Sequence, residues 1–147
     1  MTGKEYLHSL NKLLSMIEKY EQKAGLLKDM ATSVSYDYQN GHVVSSQAES
    51  APFEGLIHNA IYYEQRAAEL KERIPKLKSE MLEKIMKVSA PDLCRILIMR
   101  YIESLPWTDI SRTIKYSKSH TYRLHDQALQ EFEKVFSNKL NTSKDDN

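Results

Sequence analysis

Apolar residues recur with alternating spacings of four and three along two stretches of residues 1–88, and this repeat is the strongest constraint on the fold. The first stripe is Tyr6, Leu10, Leu13, Ile17, Tyr20, Ala24, Leu27, Ala31 and Val34. The second stripe is Leu56, Ala60, Tyr63, Ala67, Leu70, Ile74, Leu77 and Met81. This spacing is typical of helices that pack along each other as in coiled coils. We therefore expect two long helices, which pair either as an antiparallel hairpin or between two chains.

The segment 35–55 separates the two stripes. It is rich in serine and contains Asn40-Gly41 and Pro52, which favour turns. We interpret it as a long connection that either joins the helices or serves as a contact loop. Pro75 lies inside the second stripe, and because proline lacks the backbone N–H that a helix interior needs, we expect a kink or break near Arg73–Pro75.

Residues 89–136 predict three shorter helices. Ser89 and Asp92 resemble a capping box at the start of the first, which is apolar on nearly all sides, as a helix buried among others is. A break at 104–106 precedes a second helix over about 106–114, and the Ser117 hydroxyl is expected to cap a third. The predicted organisation is a helical region over 1–88, a second domain over 89–136 and a flexible polar tail over 137–147.

Composition excludes several other classes of protein. Four glycines and four prolines in 147 residues are too few for the hairpins of a β-rich fold, so we predict an all-α chain. The single cysteine, Cys94, excludes an internal disulfide framework and a cysteine zinc site. No apolar run approaches the ~20 residues of a membrane helix, and the N-terminus lacks a secretory apolar segment, so we expect a cytoplasmic protein.

The last two predicted helices are about three residues apart, as in a helix-turn-helix, whose second helix enters the major groove of DNA. Segment 105–125 carries four basic residues against one acidic residue, Asp109. The residues expected to pack inward are Thr121, Leu124, Ala128 and Phe132. The residues expected to bind DNA are Lys118, Ser119, Tyr122 and Arg123, with Arg112, Lys115, Ser117 and His120 beside them. Arg123 is the best candidate for a bidentate contact to guanine, and Arg112 and Lys115 for contacts to phosphate.

Residues 99–132 resemble region 4 of sigma factors. They are more closely similar to the small phage-encoded late-gene regulators of the ArpU/RinA/LtrC type. The matching features are Arg100-Tyr101-Ile102, Leu105, Trp107, Asp109-Ile110, Tyr116-Ser117, Arg123-Leu124-His125 and Ala128-Leu129. The chain departs from the family pattern at Leu105-Pro106, Asp109 and Lys118. The resemblance implies a helix-turn-helix and a phage or prophage late-gene activator that acts on double-stranded DNA with host RNA polymerase in a bacterial cell.

Metal, cofactor and catalytic sites are not expected. His120 and His125 are five residues apart and do not share a helix face, so we expect them to face solvent or DNA. Cys94 is expected to be a buried apolar residue, and no carboxylate pair suggests acid–base catalysis, so we do not expect an enzyme. A homodimer is the expected assembly. Two alternatives stay open: a DNA-packaging subunit like a small terminase, and a helical interaction module that binds no DNA.

Overall fold

A computed structural model describes residues 1–39 and 53–142 of the chain. Over these residues the backbone forms helices, turns and bends and no strand, which confirms the all-α class. The helices are α1 (Gly3–Leu7), α2 (Ser9–Gln39), α3 (Glu54–Lys71), α4 (Ile74–Ile85), α5 (Pro91–Leu97), α6 (Trp107–Ile114) and α7 (Lys118–Thr142). A π-helical segment, Ile98–Ile102, continues α5.

The chain divides into two compact units, and the first is built from both ends of the described sequence. Unit 1 comprises Met1–Lys12 and Ile74–Asn147, and unit 2 comprises Leu13–Arg73. These boundaries differ from the division at residue 88 that the sequence suggested. Most of the predicted connection 35–55 lies outside the described residues, and so does the end of the predicted tail. However, 137–142 belong to α7, because the helix continues to Thr142.

Unit 2 is formed by α3 and most of α2. The striped positions of both helices are buried or half-buried, as the heptad spacing predicts, and alanines provide much of the closely packed surface. Glu21 of α2 pairs with Lys71 of α3, and Lys28 of α2 pairs with Glu64. Since the partner number falls as the α2 number rises, the two helices run antiparallel. Residues 40–52, which would form the connection of a hairpin, lie outside the described residues.

Unit 1 has a core that surrounds the inner face of α7. Phe132 and Ala128 of α7 are fully buried. The Tyr6 ring of α1 stacks at 5.4 Å from the Phe136 ring and 6.4 Å from the Phe132 ring. The buried residues of this core are Tyr6, Leu7, Leu10, Met81, Ile85, Val88, Leu93, Cys94, Leu97, Tyr101, Ala128 and Phe132. The start of the first heptad stripe therefore packs with α7.

The sequence correctly predicted the helix break beside Pro75 but not the start of α5. The helical pattern stops after Lys71 and resumes at Ile74, which confirms the break beside Pro75. The predicted capping box at Ser89 is wrong: α5 is preceded by Ala90, which makes no side-chain cap, and Pro91 is the first helical residue. The φ angle of proline matches that of a helix, and proline has no N–H that needs a partner, so it is favoured as the first helical residue. The helix therefore begins at Pro91, one residue later than a capping box at Ser89 would place it.

Cys94 is buried, as predicted, and its thiol has a structural role. The Sγ–H donates to the carbonyl oxygens of Val88 and Ile85, at 2.9 Å and 3.3 Å. These carbonyls lie at and just after the end of α4, where the Ile85 carbonyl also accepts from the Val88 N–H at 3.0 Å. The thiol therefore provides a donor for the Val88 carbonyl, the nearer of the two acceptors.

Replacing Phe132 with alanine tests the central position of α7. The side chain is fully buried, so its removal leaves a cavity in the core, and we expect Phe132→Ala to lower the free energy of unfolding by about 3–5 kcal/mol. Chemical denaturation followed by circular dichroism measures this change. The control is Leu82→Ala, which removes a side chain that is 42% exposed and should change stability by about 0.5 kcal/mol or less. Equal losses for the two variants would contradict the assignment of the core.

Candidate nucleic-acid interface

Helix α6 and helix α7 are joined by the three residues 115–117, and the backbone of this turn is fixed at both ends. Lys115 adopts a left-handed conformation with φ 62°, which ends α6, and the Tyr116 N–H donates to the Ser111 carbonyl at 3.2 Å. The Ser117 hydroxyl accepts from the His120 N–H at 3.2 Å, which confirms the predicted cap of α7. These bonds hold the turn in one conformation, so the start of α7 has a fixed direction relative to α6.

The inner face of α7 holds the helix in place behind this turn. Thr121, Ala128 and Phe132 are fully buried and Leu124 is half-buried, as the spacing of three and four predicts. The Thr121 hydroxyl donates to the Ser117 carbonyl at 2.8 Å, so the buried polar atom has a partner. The N-terminal half of α7 is therefore a rigid element with one face in the core.

The opposite face of α7 presents the predicted DNA-binding residues to solvent. Lys118, Ser119 and Arg123 are exposed, and Tyr122 is 44% exposed. The Arg123 Nε lies 3.5 Å from the Ser119 carbonyl of the preceding turn, which directs the side chain along this face. The first two turns of α7 thus combine two cationic side chains with a hydroxyl and an aromatic ring.

The remaining predicted residues lie around the turn. Arg112 on α6 and Lys115 at its end are exposed, and so is Ser117. His120 is half-buried, and its ring contacts the Tyr116 ring edge-on at 4.6 Å. The structure therefore brings all eight predicted residues to one continuous stretch of α6, turn and α7.

The cations of this surface form no ion pairs in the part of the chain that the structure describes. Across residues 1–39 and 53–142, every ion pair involves residues other than Arg112, Lys115, Lys118 and Arg123. An exposed guanidinium or ammonium that makes no ion pair is available to an external anion, and the four cations outnumber the neighbouring carboxylates of Asp109 and Asp126. The arrangement can bind polyanions although the net charge of the whole chain is only +1.

Trp107 anchors α6 to α7 and to the π-helical segment. Its ring contacts the Tyr122 ring edge-on at 5.2 Å, so one edge of that partly exposed side chain is fixed. The Arg100 guanidinium lies 4.6 Å from the centre of the Trp107 ring, and its Nη1 donates to the Leu105 carbonyl at 3.0 Å. Arg100 therefore braces the loop that leads into α6.

His125 does not face solvent or DNA, and the prediction for this residue is corrected. It is half-buried, its Nε2 lies 2.8 Å from the Tyr101 hydroxyl, and its ring contacts the Trp107 ring at 4.6 Å. The physical reason is helical geometry, because His125 follows the buried Thr121 by four residues and so lies on the same side of α7. Burial lowers the pKa of His125 to about 4, and Arg100 acts in the same direction against the opposing effect of Asp126.

Reasoning from the sequence missed the part that Arg100 and Tyr101 play in this surface. Both residues belong to the stretch that resembles the late-gene regulators, which was the only signal that marked them. Both residues lie within the π-helical segment, whose turn is wider than that of an α-helix and therefore directs their side chains differently. Nothing in the local sequence indicates that wider turn.

No family model, curated protein or solved structure matches this chain. Within the described ranges every helix is too short or too polar to span a membrane. In the same ranges, histidine, cysteine and acidic side chains form no group of three or more that could hold a metal ion.

The lowered pKa of His125 predicts a pH dependence of stability. In the unfolded chain the imidazole takes up a proton near its ordinary pKa of 6.5, whereas in the folded chain it stays neutral down to about 4. The unfolded state therefore binds more protons in this window, and the free energy of unfolding falls as the pH drops from about 6.5 towards 4. Denaturation at a series of pH values measures this slope. His125→Gln should reduce the slope, whereas His58→Gln, at an exposed position, should leave it unchanged. An unchanged slope in His125→Gln would refute the assignment.

Proposed function

We propose that this chain is a sequence-specific regulator of transcription that binds double-stranded DNA through α6 and α7. The observation that carries the proposal is the exposed face at the start of α7. There Lys118, Ser119, Tyr122 and Arg123 project from a helix whose other face is locked in the core. An α-helix fits the major groove, and side chains of these types donate to phosphates and base edges.

Each residue has a distinct role in this proposal. Arg123 reads a base, because a guanidinium bonds the O6 and N7 of guanine with two parallel hydrogen bonds. Lys118 and Ser119 contact phosphate or base edges in the first turn of α7. Arg112 and Lys115 lie before the turn and contact the phosphate backbone, which positions α7 without reading sequence.

The neighbouring groups complete the interface. Ser117 caps α7, so the first amides of the helix point outward at an end that favours a phosphate. Tyr122 offers its exposed edge to the methyl group of thymine, while Trp107 fixes the other edge. His120 lies beside Tyr116 at the same turn and contributes a further polar contact to the backbone.

The biological setting is proposed from the resemblance of residues 99–132 to late-gene regulators of the ArpU/RinA/LtrC type. By that resemblance the chain activates late genes of a phage or prophage together with host RNA polymerase, in the cytoplasm of the bacterial host. It is not an enzyme in this proposal and it uses no cofactor, because binding and positioning are all that the activity requires.

The first test compares variants of a base-reading and a phosphate-binding residue. Sites selected from a random duplex library by the full chain, and scrambled duplexes, are titrated at several salt concentrations by fluorescence anisotropy. We expect Arg123→Ala to lose about 1–3 kcal/mol on the selected site and to relax the preference at one base pair. Arg112→Ala and Lys115→Ala should weaken all duplexes alike and reduce the salt slope by about 1 each.

Lys134→Ala is the matched control for these variants. It also removes one charge from α7, but Lys134 pairs with Glu131 and lies 16 residues beyond Lys118, which is about 24 Å along the helix. The Lys134→Ala variant should bind each duplex with the same affinity as the unaltered chain. If the folded protein binds no duplex at low salt, the chain is an interaction module and the proposal fails. Full affinity and preference in folded Arg123→Ala would overturn the role of that residue alone.

The second test concerns assembly, because regulators of this kind read two-fold sites as homodimers. We expect light scattering at micromolar concentration to give twice the chain mass of 17.1 kDa. A monomer mass would contradict the proposed dimer. A ring of about eight or more chains would instead favour a DNA-packaging subunit of the small terminase type.

A further inference from the structure

Arg100 of the π-helical segment contacts the chain both just before α6 and at its first residue. Its Nη1 donates to the Leu105 carbonyl at 3.0 Å, and its guanidinium carbon lies 4.6 Å from the centre of the Trp107 ring. The Leu105 N–H donates to the Met99 carbonyl at 2.9 Å. Both polar groups of the Leu105 backbone are therefore held by two consecutive residues of the π-helical segment.

A guanidinium group is suited to hold both of these partners at once. It is planar, so one face can lie against an aromatic ring while an N–H at its edge donates to a carbonyl oxygen. A lysine ammonium has no flat face, and a neutral amide lacks the positive charge that attracts the ring. Arg100 is half-buried and forms no ion pair within residues 1–39 and 53–142. The Leu105 carbonyl and the Trp107 ring are thus the partners that the structure gives to this side chain.

The Trp107 ring connects Arg100 to the proposed DNA-binding face. It meets the Tyr122 ring at 5.2 Å with the ring planes at 66°, and it meets the His125 ring at 4.6 Å. The Tyr101 hydroxyl holds His125 in turn, at 2.8 Å from Nε2. Tyr122 is 44% exposed, so contact with Trp107 restricts its ring on one side and leaves the rest of the side chain accessible.

We propose that Arg100 is a positioning residue for the recognition of a base by Tyr122, and that it acts through Trp107 without touching DNA. In the proposed function, on which this inference rests, Tyr122 contacts the methyl group of thymine. A side chain that is held in place before binding loses less conformational entropy when it makes such a contact. The guanidinium fixes the Trp107 ring, the Trp107 ring fixes one edge of Tyr122, and the methyl group meets a ring that is already in place.

Two other roles for Arg100 predict different results. A direct contact with a phosphate would add to the salt dependence of binding, because each neutralised phosphate releases counterions. A role in stability alone would lower the fraction of folded protein and weaken binding to all duplexes alike. A positioning role lowers the discrimination at one base pair and leaves the salt slope unchanged.

The experiment uses the full chain and the duplex that it selects from a random library. Each thymine of that duplex is replaced in turn by deoxyuridine, which removes only the methyl group and keeps the base pair. Fluorescence anisotropy gives the dissociation constants at several salt concentrations. We expect one position at which the thymine duplex binds about fourfold more tightly, the effect of burying one methyl-sized group. Tyr122→Ala should bind both duplexes equally there, which identifies the base that Tyr122 contacts.

Variants of Arg100 then test the positioning. Arg100→Gln keeps a donor without the charge and Arg100→Lys keeps the charge without the flat group, so both should lower the fourfold ratio towards 1 at an unchanged salt slope. The double variant Arg100→Gln/Tyr122→Ala should bind the selected duplex no more weakly than Tyr122→Ala alone, because the two residues act through one contact. Arg95→Gln, which removes the same charge from an exposed position on α5, should keep the fourfold ratio.

Fluorescence measures the contact between Arg100 and Trp107 in the absence of DNA. Trp107 is the only tryptophan of the chain, so its emission reports this ring alone. Loss of the guanidinium uncovers one face of the ring, and we expect acrylamide to quench the emission more strongly in Arg100→Gln but not in Arg95→Gln. Circular dichroism confirms that each variant is folded. Equal quenching of folded Arg100→Gln and the unaltered chain would overturn the inference.

The binding results separate this inference from the function on which it rests. If the full chain binds no duplex, the proposed function fails and the role of Arg100 fails with it. If Tyr122→Ala loses the preference for thymine but folded Arg100→Gln and Arg100→Lys keep it, only the role of Arg100 is overturned. A reduced salt slope in the Arg100 variants would replace that role with a direct phosphate contact. If no thymine depends on Tyr122, the inference fails while DNA binding through Arg123 stands.

Discussion

Burial of the inner face of α7 is the interaction on which the rest of unit 1 depends. Phe132 and Ala128 are fully buried, and helices α1, α4, α5 and α6 all contact α7. The same helix carries Lys118 and Arg123 on its outer face near the N-terminus. Because an α-helix is stiff over such a length, packing in the core also sets the direction of the exposed residues. Stability and the geometry of the proposed interface therefore have a common origin in one helix.

Helix α6 connects two surfaces with different chemistry. Arg112 is exposed near the turn into α7, whereas the adjacent Thr113 lines a cavity of about 560 Å³ together with Met99 and Leu105. Consecutive residues of a helix point about 100° apart, so one short helix faces both surfaces. Trp107 holds the start of α6 through contacts to Arg100, Tyr122 and His125.

The sequence by itself determined the features that depend on local geometry. Heptad spacing identified the buried side of the long helices, and the spacing of Thr121 and Ala128 identified the buried side of α7. Pro75 marked a helix break and Ser117 marked a cap, because each acts on backbone groups within a few residues of itself. The eight residues predicted to bind DNA form one continuous stretch for the same reason. Seven of the eight are exposed and His120 is half-buried, while their role in binding is a proposal.

Only the tertiary structure decided which buried faces meet. Periodicity shows that Tyr6 is buried but not what it packs against, and its partners Phe132 and Phe136 are more than 120 residues away in the chain. The π-helical segment likewise has no local signal, yet it carries Arg100, which contacts Trp107, and Tyr101, whose hydroxyl lies 2.8 Å from His125 Nε2. A helix with a repeat of apolar residues can pack against any complementary apolar surface. The choice among such surfaces is made by the packing of the whole unit, since helix propensity and spacing are the same for every candidate partner.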